Sequence, residues 1–183
     1  DDSPIDRLKA EIGLASSSLS AGEAAAALAA VERAEALLRA NPGLEARGSG
    51  SLVEHYVYSH ARYAALLLGL RAEALVALRR YPEAETALAA REQALRGFFE
   101  ASEADEDLLA LAQVELRRAE VAASAGQGTE ALRFAEGGLA RIDDFNERTG
   151  SGVTETSLRL LRVLAALVLD GSVARSSLHR DLE

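Results

Sequence analysis

The sequence predicts an all-α fold built from about four antiparallel helical hairpins. Alanine and leucine dominate the hydrophobic 49% of the chain, and aromatic residues make up only 4%, a composition that favours helices over strands. Apolar and small residues recur at helical spacing on both sides of Tyr81-Pro82-Glu83, where proline ends one helix or begins the next. Farther along, Arg118-Ala119-Glu120 repeats the pattern of Arg71-Ala72-Glu73. A hairpin that recurs along the chain indicates a stacked scaffold.

The first half of the chain contains several helix-start signals. Ser3-Pro4-Ile5-Asp6 combines a serine cap with proline in the first turn, and Ser20-Ala21-Gly22-Glu23 fits a capping box. Another capping box, Ser51-Leu52-Val53-Glu54, opens a long helix to about Arg80. Gly69 lies inside this helix, where it either makes room for a neighbouring helix or marks a kink. We predict a single domain over residues 1–183 with hairpins at about 4–40, 52–101, 106–148 and 154–182.

The second half continues the alternation of helices and short breaks. Residues 102–107 form an acidic turn, Gly126-Gln127-Gly128 breaks the following helix, and Thr149-Gly150-Ser151-Gly152 forms the next loop. A strongly apolar helix then runs to Leu169, and Asp170-Gly171 separates it from a last short helix. Leucines occur on too many faces of the apolar helix for one neighbour to cover them. We therefore predict that the last short helix or a second copy of the chain, in a homodimer, covers it.

Composition and charge exclude several classes of function. The net charge of −9 argues against nucleic acids and anionic membrane surfaces as partners. No run of 18 apolar residues exists, so we predict no membrane-spanning helix. The absence of cysteine excludes disulfides, thiol catalysis and thiolate metal sites. The chain begins with Asp1 rather than Met, which indicates a fragment or a processed product, and leaves open a cytoplasmic or, after removal of an export signal, a periplasmic or secreted location.

The hairpins resemble the tetratricopeptide-repeat (TPR) family, in which small residues lie where two helices touch and a Gly- or Tyr-containing turn joins them. The matching residues of the second hairpin are Ala72, Leu75, Tyr81, Ala84 and Leu88. The matching residues of the third hairpin are Ala119, Ala122, Gly126, Ala131, Ala135 and Gly138. At the position of Gly138 the second hairpin has Arg91, which departs from the small residue of the family pattern. The first hairpin matches more loosely, through Gly22, Ala27, Val31 and Ala34, and the fourth matches only as a hairpin.

The repeat is longer than the usual TPR length of about 34 residues. In this length the chain resembles the long-helix relatives of the family that are found in bacterial regulators and adaptors. The resemblance implies a right-handed superhelix that binds a protein or peptide on its concave face without a cofactor. Projection of the family's groove positions onto this chain selects Ser59, Arg62, Glu73, Gln113 and Glu120, with Arg159 and Arg162 as further candidates. The alternative for each is an ordinary solvent-facing residue.

An aromatic stripe adds three candidates to the groove. Tyr56, His60 and Tyr63 are spaced at i, i+4 and i+7 and share a helix face with Leu67. One interpretation is amphipathic packing at the rim of the core. The other is the wall of a ligand groove, which would make the protein a small-molecule sensor or carrier.

No catalytic motif is visible in the sequence. Gly126–Ala131 fits the dinucleotide pattern G-x-G-x-x-A but lacks the preceding strand. The acidic residues at 103–107 lack the frame of an EF-hand loop, and His55 and His60 are too far apart around a helix to chelate one metal. We therefore predict a non-enzymatic protein-interaction scaffold without cofactor or metal. The small-molecule sensor is the alternative, and an α-helical enzyme is the third hypothesis.

Overall fold

The described part of the chain is helical and contains no strand. The computed structural model describes residues 3–42, 60–152 and 154–169, and the all-α prediction is confirmed for them. Their helices are α1 (Pro4–Ser20), α2 (Ala24–Ala40), α3 (His60–Ala77), α4 (Tyr81–Ser102), α5 (Asp105–Ser124), α6 (Gly128–Thr149) and α7 (Glu155–Leu169). None of these seven helices combines the length and the apolar character that crossing a membrane requires.

Two predicted elements lie outside the described residues. These are the start of the long third helix, at Ser51-Leu52-Val53-Glu54, and the last short helix, at 172–182. The end of the third helix is described, and α3 stops at Ala77 rather than at the predicted Arg80. Arg79 has a φ of 58°, and a left-handed residue cannot continue a right-handed helix.

The helices divide into two compact units, Asp1–Ala94 and Leu95–Glu183. In the first unit α2 packs against both α1 and α3, and α1 also contacts α3. In the second unit α6 packs against both α5 and α7, and α5 also contacts α7. Each unit thus brings together consecutive helices and the first helices of adjacent hairpins. The single domain over residues 1–183 stays a prediction.

One turn geometry joins the two helices of each of three hairpins. Gly22, Arg79 and Gly126 have φ values of 79°, 58° and 74°. In each turn the next N–H bonds back to a carbonyl at 2.8 Å: Glu23 to Ser18, Arg80 to Leu75 and Gln127 to Ala122. This is the six-to-one bond of a Schellman C-cap. Glycine suits the left-handed position because it has no Cβ. Arg79 adopts the same conformation with backbone strain, because its Cβ lies close to the following carbonyl oxygen.

The start of α1 confirms its predicted cap. Ser3 Oγ accepts a hydrogen bond from the Asp6 N–H at 3.3 Å, and Pro4 occupies the first helical position. A side-chain acceptor at this point satisfies one of the free N–H groups of the first turn.

The predicted capping box before α2 is wrong. Ser20 is the last residue of α1, and its Oγ donates to the Ser16 carbonyl at 3.0 Å. Glu23 is the N-cap of α2, and its side chain makes no capping bond. The Schellman turn at Gly22 keeps Ser20 inside the preceding helix, so its hydroxyl cannot cap the next one.

Alanines occupy matching buried positions in these three hairpins. On the second helices, Ala27, Ala84 and Ala131 each lie five residues after the left-handed residue and are 0% exposed. The matching buried alanines of the first helices are Ala15, Ala72 and Ala119. A methyl side chain at these points lets two helix backbones approach closely. The prediction that alanine marks the contacts between helices is confirmed at Ala84 and Ala131.

Each unit has a core of leucine and alanine. The buried core of the first unit includes Leu8, Ala15, Ala30, Val31, Ala34, Leu38, Tyr63 and Leu67. That of the second includes Ala112, Leu116, Ala119, Ala122, Ala131, Phe134, Ala135, Ile142, Leu160, Leu164 and Leu167. Burying one leucine-sized side chain contributes about 1.5–3 kcal/mol, so the leucines supply much of the stabilisation while the alanines set the spacing.

Candidate functional site

The predicted groove residues divide between α3 and α5. Tyr56 and Ser59 lie outside the described residues. Four belong to α3 in the first unit and two to α5 in the second: His60, Arg62, Tyr63 and Glu73, then Gln113 and Glu120.

The aromatic residues of α3 contribute to the core of the first unit. Tyr63 is 4% exposed and packs in the cluster that includes Leu8 and Leu67. His60 Nε2 lies 3.1 Å from the Leu38 carbonyl oxygen, and because a carbonyl only accepts, Nε2 carries the proton and donates. Both contacts fit the packing interpretation of the stripe. A ligand pocket that also includes Tyr56 stays a prediction.

The polar candidates of α3 differ in exposure. Glu73 is exposed, whereas Arg62 is half-buried. Arg71, two residues before Glu73, places its Nη1 2.8 Å from Glu35 Oε2 on α2. This ion pair between helices was not predicted, since its partners lie 36 residues apart in the sequence.

The most developed polar arrangement lies where α5 meets α7 in the second unit. Glu120 Oε2 is 2.9 Å from Arg117 Nη1 on the same helix. Its other oxygen, Oε1, is 2.6 Å from Arg159 Nη2 on α7. One carboxylate therefore binds two guanidiniums, one at each oxygen, and the three side chains are about one-third exposed.

We call the surface around this pair of contacts the α5–α7 face. It comprises Gln113, Arg117 and Glu120 on α5 and Leu158, Arg159 and Arg162 on α7. The α5 members are spaced at i, i+4 and i+7 and therefore form one stripe along that helix. Gln113 and Arg162 are exposed, and Leu158 retains 47% of its surface.

Gln113, Glu120, Arg159 and Arg162 were predicted separately, and the structure brings Glu120 and Arg159 into contact. Arg117 was not predicted, although the i, i+3 spacing of Arg117 and Glu120 is a recognisable signal for an ion pair on a helix. Leu158 was not predicted as a groove residue either.

Two further charged side chains of α5 contact side chains of α6. Glu115 on α5 is 6% exposed, and its Oε1 lies 3.1 Å from Arg141 Nε on α6. A Cβ at Gly137 would lie 3.1 Å from Glu115 Oε2, so glycine provides the space for the carboxylate. The Arg118 guanidinium lies 4.0 Å above the centre of the Phe134 ring, a cation–π contact.

The acidic turn before α5 is held by Arg148 from the end of α6. Arg148 Nη2 donates to the Glu103 carbonyl at 2.7 Å, and its Nε lies 2.7 Å from Asp105 Oδ1. Asp105 also begins α5, where a carboxylate interacts favourably with the helix dipole. Within residues 3–42, 60–152 and 154–169, no group of three or more His, Asp or Glu side chains is placed to hold a metal ion.

The glycines of the dinucleotide-like pattern join two helices. Gly126 follows α5, and α6 begins at Gly128, so a helix takes the place of the strand that a dinucleotide site needs.

The α5–α7 face is the candidate functional site, because it combines predicted groove residues, exposed hydrogen-bond donors and an exposed leucine. No protein-family model, curated protein or solved structure matches this chain.

Proposed function

We propose that this chain is a non-enzymatic interaction module of the TPR-like type, which binds a protein or peptide segment on the first helices of its hairpins. The observation that carries the proposal is the hairpin itself, which recurs with the same left-handed turn at Gly22, Arg79 and Gly126. Repeated hairpins of this kind stack and present a row of equivalent helices as an extended surface.

Contacts between the first helices of adjacent hairpins support the proposal. In the first unit α1 contacts α3, and in the second α5 contacts α7. A long-helix variant of the TPR, wound as a right-handed superhelix, would place such helices side by side along its concave face. We propose this superhelical arrangement for the chain as well.

The polar surface of the second unit supports binding rather than catalysis. The α5–α7 face offers amide and guanidinium donors from Gln113, Arg159 and Arg162. The sequence contains no nucleophile elbow, no zinc-protease motif and no P-loop. A segment of a partner protein, bound through side-chain contacts, is the ligand that such a surface suits.

The test is a peptide-display selection against the full chain, followed by mapping with a photocrosslinking amino acid. The crosslinker replaces exposed Gln113 on α5, and a matched control replaces exposed Glu136 on α6. We expect selected peptides to crosslink from position 113 and not from position 136. Failure to select any peptide, or crosslinking from position 136 alone, would contradict the proposal.

A further inference from the structure

We infer that two copies of this chain associate through α1, with the two α1 helices antiparallel. The contact surface is the exposed stripe of Ala10, Gly13, Leu14 and Ser17, which we call the α1 outer face. The inference goes beyond the proposed function and does not depend on it. It is supported by the burial of equivalent positions, the absence of charge, the shape of the stripe and the charges at its two ends.

The α1 outer face corresponds to positions that are buried in two other first helices. Ala10 and Ser17 are exposed. Their equivalents, counted back from the left-handed residue of each hairpin turn, are all between 0% and 4% exposed: Leu67 and Ala74 in α3, and Val114 and Val121 in α5. The first helix of a hairpin thus has a side that is normally covered, and in α1 that side is open.

In α3 this side packs against the preceding hairpin. Leu67 belongs to the buried cluster that contains Leu8 of α1 and Val31 of α2, and Leu70, the equivalent of Gly13, packs against the same cluster. On α1 an added Cβ at Gly13 would meet no described atom within 4 Å. The surface that joins one hairpin to the previous one is therefore available on α1 for another helix.

The α1 outer face also lacks charge. Terminal repeats of a helical stack need a polar outer surface to stay soluble. Charged residues make up 27% of the chain, yet residues 12–22 contain none, and Leu14 is 48% exposed. An exposed leucine on an uncharged helix surface favours a contact that removes it from water.

The shape of the stripe suits a second copy of itself. Ala10, Gly13 and Ser17 lie next to Leu14 or one turn from it, and their side chains are small. They leave space on the helix surface for the leucine of another α1. In an antiparallel pair with two-fold symmetry, each Leu14 packs beside the partner's Gly13, so that both leucines are covered by the same contact.

The charges at the two ends of the face favour the antiparallel arrangement. Arg7 lies one turn before Ala10, Glu23 follows the end of α1, and both are exposed. An antiparallel pair brings the start of one α1 beside the end of the other, so Arg7 of each copy lies near Glu23 of its partner. Within one chain the length of α1, roughly 20 Å, separates the two residues. This complementarity selects a second copy as the occupant.

Sedimentation equilibrium of the full chain tests the association at concentrations from about 1 μM to about 1 mM. We expect the average mass to rise from that of the 19.3 kDa chain toward twice that mass. Leu14→Glu should weaken the dimer at least about tenfold, because it brings two carboxylates together in the contact. The matched control is Leu158→Glu on α7, where the leucine is 47% exposed, and it should leave the dimer unchanged. Circular dichroism checks that each variant remains helical.

Charge reversal tests the antiparallel arrangement. Arg7→Glu and Glu23→Arg should each weaken the dimer by about threefold to tenfold, because two-fold symmetry doubles the effect of one exposed pair. The double variant should restore the association, since the pair then forms again with its charges exchanged. Restoration can come only from a contact between copies, because the two residues are too far apart within one chain.

A disulfide locates the two-fold axis. The chain contains no cysteine, so Gly13→Cys introduces a single thiol at the centre of the contact. Mild oxidation should join two copies through this thiol, because residues next to the axis approach their own counterparts. Ala140→Cys, at an exposed position of α6, is the control and should remain largely unlinked.

Several outcomes would overturn the inference. These are a chain that stays monomeric up to about 1 mM, and a dimer that Leu158→Glu dissociates and Leu14→Glu does not. Failure of the double charge variant to restore association would refute the antiparallel pairing. A monomer in which a photocrosslinker at position 13 captures selected peptides would assign the α1 outer face to a partner protein. Crosslinking of peptides from position 113 is independent of each result, so the proposed function would stand or fall separately.

Discussion

Arg91 on α4 extends its guanidinium across Gly69 on α3, so that a Cβ added at Gly69 would lie 2.6 Å from Arg91 Nη1. The third hairpin has Gly138 and the first has Ala34 where the second has Arg91. A large side chain at a position suited to a small one is thus accommodated by a glycine on the facing helix. Of the two explanations for Gly69, a kink or room for a neighbouring helix, the second stays a prediction for the helix backbone, while a side chain of α4 does occupy the space beside Gly69.

This relationship predicts a coupled pair of substitutions. Gly69→Ala alone should change the free energy of unfolding little, because displacement of the Arg91 guanidinium offsets the gain in helix propensity. In an Arg91→Ala background the same change should raise it by about 1 kcal/mol, since alanine favours a helix interior over glycine. Urea denaturation of the four variants gives the coupling energy.

The control for this cycle is Gly97→Ala on α4, where an added Cβ meets no described atom within 4 Å. It should raise the free energy of unfolding by up to about 1 kcal/mol whether residue 91 is arginine or alanine. Additive effects of the substitutions at 69 and 91 would show that the two side chains do not constrain each other.

The left-handed residue of each turn predicts opposite changes in stability when glycine is introduced at one hairpin and removed at another. Arg79→Gly should raise the free energy of unfolding by about 0.5–1 kcal/mol, because glycine adopts a φ of 58° without strain. Gly126→Ala, at a φ of 74°, should lower it by about 1 kcal/mol. Thermal unfolding followed by circular dichroism measures both changes, and a loss of stability in Arg79→Gly would mean that the arginine side chain contributes more than its backbone costs.

Overpacking at a buried alanine should be costly. Ala131 is 0% exposed in the core of the second unit, and Ala131→Leu should lower the free energy of unfolding by about 1–3 kcal/mol or more. Ala140 on the same helix is exposed, so Ala140→Leu should change stability by less than about 0.5 kcal/mol. Chemical denaturation of both variants tests the comparison, and equal effects would contradict the assignment of Ala131 to a close contact between helices.

The exposed pair beside the second hairpin turn should titrate measurably. The hydrogen bond from Arg80 Nε, at 2.7 Å, lowers the pKa of Glu83 below that of an ordinary glutamate. A lowered pKa means that the pair stabilises the fold above the unfolded pKa, and that this contribution disappears as pH falls through the folded one. NMR titration of the Glu83 carboxyl carbon should show the lowered pKa, and Arg80→Ala should remove most of the shift, since Arg71 contributes the rest.

Solvent and salt screen this pair because it is exposed, so the shift should shrink at high ionic strength. A Glu83 pKa that is the same with and without Arg80 would show that the hydrogen bond does not persist in solution.

Local signals predicted most of the helices. Proline, glycine and the spacing of small residues identified the turns near Gly22, Tyr81 and Gly126 and the buried positions of Ala84 and Ala131, because these features act within one hairpin. The capping box at Ser20 was wrong because the same residues also fit a Schellman turn. Which of two local patterns forms depends on where the helix ends, and Gly22 determines that end.

The candidate site was less predictable because it depends on contacts between helices. Glu120 and Arg159 were selected independently, and their contact joins residues 39 positions apart. Periodicity placed Tyr63 on one face of its helix, but whether a face is covered depends on neighbouring helices. In the structure Tyr63 belongs to a buried cluster that also contains Leu8 of α1 and Val31 of α2.

The carboxylate of Glu120 has a mechanical consequence for the two helices it joins. A slide of α7 along α5 by one helical turn, about 5.4 Å, would carry Arg159 out of reach of Glu120, whose other oxygen is held by Arg117. The contact therefore opposes sliding of α7 along α5, and it favours one constant spacing between the exposed side chains that the two helices present.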